Sequence, residues 1–245
     1  MDLLIAAALV LTGLVAGVAS GMFGIGGGIL VVPALLLLGL LEFREAVAAS
    51  LLYMTFTTPI GIWRHWRAGN VLPRTGALLA ASGLAGVIAG QAVAPYVTDH
   101  ALVLGFALLL VVAAHNLAYG ALPTKHHASV PLILAVGVTG GFVAKLFGIG
   151  GGIVMVPAMA FTGIVIHAAV GTSLVVVLTN AVFASILNLL AGGSWMIWAV
   201  PVALGGVVGV PLGVQRVLRM QGDRLRRLFA ILLVAVALQL VRGAV

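Results

Sequence analysis

Cysteine is absent from this chain. Disulfides, thiolate metal sites and thiol catalysis are therefore excluded, although the compartment is not thereby fixed. Charge is scarce as well. Only 7% of the 245 residues are charged, and just five carry a carboxylate, where a soluble domain has roughly 25% charged residues. So few polar groups cannot cover a water-facing surface. The chain is instead 63% hydrophobic, with a mean hydropathy of +1.29, so lipid is the solvent for most of it. Strand-like alternation is missing too. With no water in a bilayer core to satisfy the backbone, helices are the expected solution.

The net charge of +7 does not indicate nucleic acid. The cations sit in short loops between apolar runs, where they set topology. Met1-Asp2-Leu3-Leu4 lacks the basic start of a signal peptide. The small residues Ala19-Ser20-Gly21 resemble a cleavage site, but the motif just after them has a twin deep inside the chain, so cleavage is not the expected reading.

That twin is the most unusual feature present. Met22-Phe23-Gly24-Ile25-Gly26-Gly27-Gly28-Ile29 leads to Pro33-Ala34, and Leu146-Phe147-Gly148-Ile149-Gly150-Gly151-Gly152-Ile153 leads to Pro157-Ala158. Both the glycine run and the Pro-Ala pair recur at an offset of 124. The correspondence continues at 123: Ala46 to Leu51 with Ala169 to Leu174, Gly86 and Gly90 with Gly209 and Gly213, Phe106-Ala107 with Phe229-Ala230. Measured against the roughly 20 residues that span a bilayer, the apolar segments run from about residues 3–21, 28–41, 46–63, 75–97 and 99–119. The second half repeats them at about 130–145, 152–164, 167–190, 195–214 and 225–240.

Lys and Arg orient the chain. Arg64, Arg67 and Arg74 flank one loop, Lys125 lies in the central linker, and Arg216, Arg219, Arg224, Arg226 and Arg227 crowd a third. Placing these loops in the cytoplasm puts nine of the twelve basic residues inside, leaving Arg44 and Arg242 outside and Lys145 within an apolar segment. The repeat partner of the Arg64 to Arg74 loop, Gly192-Gly193-Ser194, then falls outside. The expected fold is an all-α polytopic membrane protein of two inverted-topology repeats. Each has about five hydrophobic segments, with broken or re-entrant helices at the glycine motifs. Residues 1–122 form the first repeat, 123–129 a cytoplasmic linker and 130–245 the second repeat, with both termini external. A parallel repeat with weak charge bias is the alternative.

Inverted repeats with Gly-interrupted segments at matching places mark secondary transporters, whose sites lie near the membrane midplane. Consecutive glycines let the backbone leave helical geometry and approach a ligand closely. The helix that resumes exposes unpaired N–H groups and a positive dipole end, which suits an anion. The candidate substrate site is therefore Gly24, Gly26, Gly27 and Gly28 facing Gly148, Gly150, Gly151 and Gly152. Scattered glycines such as Gly83, Gly86 and Gly90 are expected only to let helices pack closely. The run is neither a dinucleotide fingerprint nor a P-loop, since Ile29 occupies the last glycine position and no Gly-Lys-Ser/Thr occurs.

Lys145 joins the candidate site, because a charged side chain at mid-bilayer costs roughly 2.5–3.5 kcal/mol and a bound anion would compensate it. Snorkelling to the interface is its alternative. Thr57 and Asn180 correspond at the repeat offset and complete the set, with helix-tying as their competing role. Ser50 and Ser173 read as caps or back-bonded hydroxyls. The histidines lack metal-ligand spacing, so no metal and no cofactor is expected. No carboxylate falls within a predicted membrane core, which leaves an Asp/Glu proton relay unsupported, with histidine-based proton coupling as the weaker option beside electrogenic efflux.

The doubled Phe-Gly-Ile-Gly-Gly-Gly with its trailing Val-Pro-Ala, in so apolar a chain, resembles the sulfite exporter TauE/SafE family of membrane permeases over nearly its whole length. One departure is Ala144-Lys145-Leu146, where the first copy has Ser20-Gly21-Met22. The resemblance implies a permease of the bacterial inner membrane exporting small organic or sulfur-containing anions such as sulfite, sulfoacetate or other sulfonates. An anion channel is the alternative. An intramembrane enzyme is not expected, since no catalytic constellation sits at depth. The implied partners are a small anionic substrate and membrane lipid, with a homo-oligomer left open.

Overall fold

The computed structural model describes residues 2–119, 129–193 and 195–244. Most of the linker, with Lys125, His126 and His127, lies outside the described residues, as does Ser194. Within them the chain is all helical: α1 (Leu3–Phe23), α2 (Gly28–Leu37), α3 (Phe43–Arg67), α4 (Pro73–Val93), α5 (Asp99–Tyr119), α6 (Val130–Phe147), α7 (Gly152–Phe161), α8 (Ile166–Ala191), α9 (Met196–Val217) and α10 (Gly222–Ala244). A 3-10 turn over Ala94–Tyr96 follows α4. The expected segments thus appear as helices at the expected places, five in each half. Among the described residues, seven helices are long and apolar enough to cross a membrane. By contrast α2 and α7 have 10 residues each. At 1.5 Å per residue that is about 15 Å, half of a hydrocarbon core of roughly 30 Å.

Local chemistry explains the breaks. Gly24 ends α1 in the left-handed region (φ 70°) and its N–H bonds the Ser20 carbonyl at 2.9 Å. Gly148 ends α6 in the same way (φ 68°), on the Ala144 carbonyl at 2.9 Å. Gly26 and Gly27, like Gly150 and Gly151, also have positive φ, which only glycine adopts without strain. At the start of α3 the Glu42 N–H reaches Glu45 Oε2, and Pro73 opens α4, where a missing N–H costs nothing.

The two halves interleave instead of forming separate bundles. Helix α1 lies along α9: an added Cβ on Gly13, Gly17 or Gly21 would strike Val202, Gly206 or Val210 backbone, and one on Gly205, Gly209 or Gly213 would strike Val10, Leu14 or Val18. The equivalent pair, α4 with α6, is built likewise, with Gly86 on Val138, Gly141 on Gly83 and Gly90 on Lys145. Small residues let the backbones touch, as in membrane helix pairs generally. Phe23 stacks on Phe229 at 4.8 Å and Phe147 on Phe106 at 5.6 Å, two equivalent contacts, each joining one half to the other.

Chain direction follows from the same contacts. Along both glycine-lined pairs the partners advance together, so α1 and α9 are parallel, as are α4 and α6. The counterparts α3 and α8 are antiparallel: Gly61 lies on Leu174 and His65 on Gly171, while Thr55 is beside Ser185. Helices α5 and α10 also run oppositely, with His100 and Val103 near Gln239 and Leu240.

Two of the arginine-bearing loops share one end of the molecule. The Asn70 carbonyl and Leu72 N–H reach Gly171 and Thr172 near the start of α8, and Gly222 lies against Ile166 at the same start. His167 Nε2 donates there to the Val217 and Met220 carbonyls. Arg44, at the other end, is held by Asp99 (Nε to Oδ1, 2.8 Å) and by the Ala94 and Val97 carbonyls. Its charge is therefore neutralised locally.

Candidate functional site

The two glycine loops meet each other beside the middle of α3 and α8. A Cβ on Gly28 would overlap the Gly148 carbonyl oxygen, and one on Gly152 would overlap that of Gly24. Gly26 and Gly150 both lie on Met54 and Val177, near the middle of α3 and α8. All eight candidate glycines are buried. The loops therefore form one closed unit, in direct backbone contact with each other.

Two serines tie the loops in place. Ser50 Oγ donates to the Gly148 carbonyl and Ser173 Oγ to the Gly24 carbonyl, each at 2.8 Å. Each hydroxyl also lies 2.8 Å from the carbonyl three residues back, Val47 or Val170. The back-bonded hydroxyls expected from the sequence are present, with a second role across the halves. The N-termini of α2 and α7 point their first N–H groups at this junction. Only from Leu30 and Val31 onward, both donating to the Gly27 carbonyl, do the N–H groups find helical acceptors; Val154 and Met155 do the same on Gly151.

Thr57 and Asn180 are fully buried. They occupy equivalent places, Thr57 against Gly206 and Asn180 against Gly83. Asn180 Nδ2 donates to the Gly150 carbonyl at 3.3 Å, while Thr57 Oγ1 turns back to the Tyr53 carbonyl at 3.0 Å. Asn180 thus touches a glycine loop directly and Thr57 does not bond one. Lys145 is 7% exposed and stands on the last turn before Gly148. Its ammonium donates to Asn188 Oδ1, near the end of α8.

Several buried polar atoms have no partner: Ser20 Oγ, Tyr53 OH, Thr58 Oγ1 and Asn180 Oδ1 among them. An unpaired buried polar group costs roughly 1–3 kcal/mol, and a native structure keeps one for a reason such as a ligand or water. Tyr53 is the residue that sequence reasoning missed. Its ring is fully buried against Gly27 and Gly206, at the edge of the first loop. The available signal was a hydroxyl-bearing aromatic four residues before Thr57 within an apolar segment. Among the described residues no cluster of His, Asp or Glu is placed to hold a metal.

The long apolar helices define a multi-pass membrane protein, and its relatives make it a membrane transporter. The sulfite exporter TauE/SafE family profile matches residues 9–240, and the chain belongs to that family. It is 37% identical over 238 residues to a probable membrane transporter protein of Xylella fastidiosa strain Temecula1, covering 92% of this chain and 90% of that one. It is 28% identical to a probable membrane transporter protein of strain 9a5c of the same species, with the same coverage. Identity to the probable membrane transporter protein YunE of Bacillus subtilis is 25%, over 95% of this chain and 96% of that one. No solved structure matches the chain.

Proposed function

We propose that this protein is a secondary transporter that exports small organic or sulfur-containing anions, such as sulfite, sulfoacetate or other sulfonates, across the bacterial inner membrane. The carrying observation is the junction where α2 and α7 begin against each other. Two helix N-termini bring positive dipole ends to mid-depth, Lys145 stands one turn away, and the acids of the chain lie at helix ends and loops. Gly26, Gly27, Gly28, Gly150, Gly151 and Gly152 would supply backbone N–H groups to the anion, while Gly24 and Gly148, whose N–H groups cap α1 and α6, would shape the loops around it. Tyr53 and the second Nδ2 proton of Asn180 would add side-chain donors, Thr57 would add one once its hydroxyl leaves the Tyr53 carbonyl, and Lys145 would add the compensating charge.

The halves are read as inverted-topology repeats with re-entrant half-helices. The antiparallel run of α3 against α8 and of α5 against α10 supports this reading. The two arginine-bearing loops on one shared end support placing that end in the cytoplasm, with both termini outside. The interleaving makes α1 with α9, and α4 with α6, the units that move about the junction. An inside-negative potential drives each exported negative charge with about 2.3 kcal/mol per 100 mV, so no proton relay through acids is needed.

A thermal-shift screen of the purified protein tests the ligand class. Sulfite and sulfonates raise the melting temperature in proportion to occupancy. A preference for cations contradicts the dipole argument.

A further inference from the structure

The last helical turn before each glycine loop is fastened to the far end of the long core helix of the same half. In the first half His65 Nε2 lies 3.1 Å from the Gly21 carbonyl oxygen. A carbonyl only accepts, so the ring proton is on Nε2, and Nδ1 is left buried with no partner. In the second half Lys145 Nζ donates to Asn188 Oδ1, and Asn188 Nδ2 is left buried with no partner.

These contacts are equivalent. Gly21 answers Lys145 at the 124 offset of the glycine runs, and His65 answers Asn188 at 123. The residue types differ, but the positions do not. Because α3 and α8 are antiparallel, one contact lies toward the arginine-rich end and the other toward the opposite end, with the glycine junction between them. We infer that His65–Gly21 and Lys145–Asn188 are the inner and outer gates of the transport path, and that each opens only while the other is closed.

Both contacts are built to open at low cost. Each is a single hydrogen bond, and each keeps an unpaired polar atom beside it. Entry of water on opening satisfies both released partners and the orphaned atom together, which offsets the broken bond. Each contact also sits at the end of a glycine-lined helix pair. Gly21 abuts Val210 and Val214 on α9, and Lys145 abuts Gly90 on α4. A small tilt of either pair parts its gate, and because the loops between the gates are bonded across the halves, Ser50 to Gly148 and Ser173 to Gly24, the tilt of one pair carries to the other. When the outer gate parts, Asn188 releases the ammonium, which then meets the anion arriving from the junction. The inference rests on the permease reading and extends it to the order of opening.

The natural chain has no cysteine, so a single introduced one is unique. Ser20 and Ala144 are repeat equivalents, both fully buried, and each neighbours its gate residue. Ser20→Cys and Ala144→Cys are labelled in sealed vesicles with a membrane-impermeant maleimide applied from one side at a time. Ser20→Cys is expected to react only from the arginine-rich side, and Ala144→Cys only from the other. Adding Asn188→Ala raises Ala144→Cys labelling about tenfold to a hundredfold, the scale of one hydrogen bond to a charged group, and lowers Ser20→Cys labelling. Adding His65→Ala does the reverse, and His65→Gln, which keeps a donor, returns toward the natural pattern. Should His65→Ala fail to reach the membrane, Asn188→Ala decides alone through Ser20→Cys.

A rise at the near position with no fall at the far one, or a rise at both, overturns the inference, since mere loosening is local or general. Labelling needs no substrate. Reciprocal labelling without sulfite flux would therefore remove the substrate class and keep the gates, whereas flux without reciprocity would do the opposite.

Discussion

Ser50 donates its hydroxyl to the Gly148 carbonyl at 2.8 Å across 98 positions of chain. Ser173 makes the matching bond to Gly24. Each glycine loop is thus anchored by a serine from the other half, and the junction belongs to both halves at once. Ser50→Ala and Ser173→Ala each strand a buried carbonyl at the loop they hold. Each is expected to cost about 0.5–1.5 kcal/mol, and the two by similar amounts. Thermal unfolding in detergent measures this; a neutral Ser50→Ala would contradict the anchoring role.

The glycine stripes make a stronger prediction. A Cβ on Gly17 would lie 2.7 Å from the Gly206 carbonyl oxygen and 2.9 Å from the Val210 nitrogen. Both are backbone atoms that cannot turn aside. Gly17→Ala is expected to destabilise by about 1–3 kcal/mol through overpacking. Gly105→Ala, whose Cβ would meet only Phe147 ring atoms at 3.5 Å and 3.7 Å, should be near neutral. Equal melting temperatures for the two variants would rule out backbone contact between α1 and α9.

The phenylalanine stacks should behave as a pair. Phe229→Leu and Phe106→Leu each remove one ring of an equivalent stack. Each is expected to lose about 0.5–1.5 kcal/mol beyond the area term. A large loss in one and none in the other would show that the halves do not share their packing.

At the end opposite the shared arginine-bearing loops, Arg44 and Asp99 are about two-fifths exposed, so Asp99→Asn should cost less than about 1 kcal/mol. Arg44→Ala should cost more, because it also removes the donors to the Ala94 and Val97 carbonyls. Chemical denaturation of the two variants orders them. The reverse order would mean that the ion pair, and not the carbonyl contacts, holds the turn after α4.

Much of the frame was legible because hydrophobic length and glycine placement are local signals. Helices α1 to α10 appear where the apolar runs lie, and the breaks at Gly24 and Gly148 follow from residues that alone tolerate positive φ. The packing roles of Gly83, Gly86 and Gly90 were also legible as small-residue stripes. The interleaving was not. Nothing within residues 3–23 says that Gly17 will meet Gly206, since helix pairing is decided by surfaces far apart in sequence. Tyr53 was missed because a lone aromatic in an apolar segment looks like core. The kinship of His65–Gly21 with Lys145–Asn188 was hidden for a different reason: position is preserved there while residue type is not.

The central claim is that an anion passes through the glycine junction by a carrier cycle. Its most direct test is sulfite release from vesicles containing the purified protein, with the potential set by a potassium gradient. The account predicts saturable release that quickens when the loaded side is made negative and that is lost in Lys145→Ala. Flux of cations in place of sulfite, or an unsaturable ohmic current indifferent to Lys145→Ala, would contradict it.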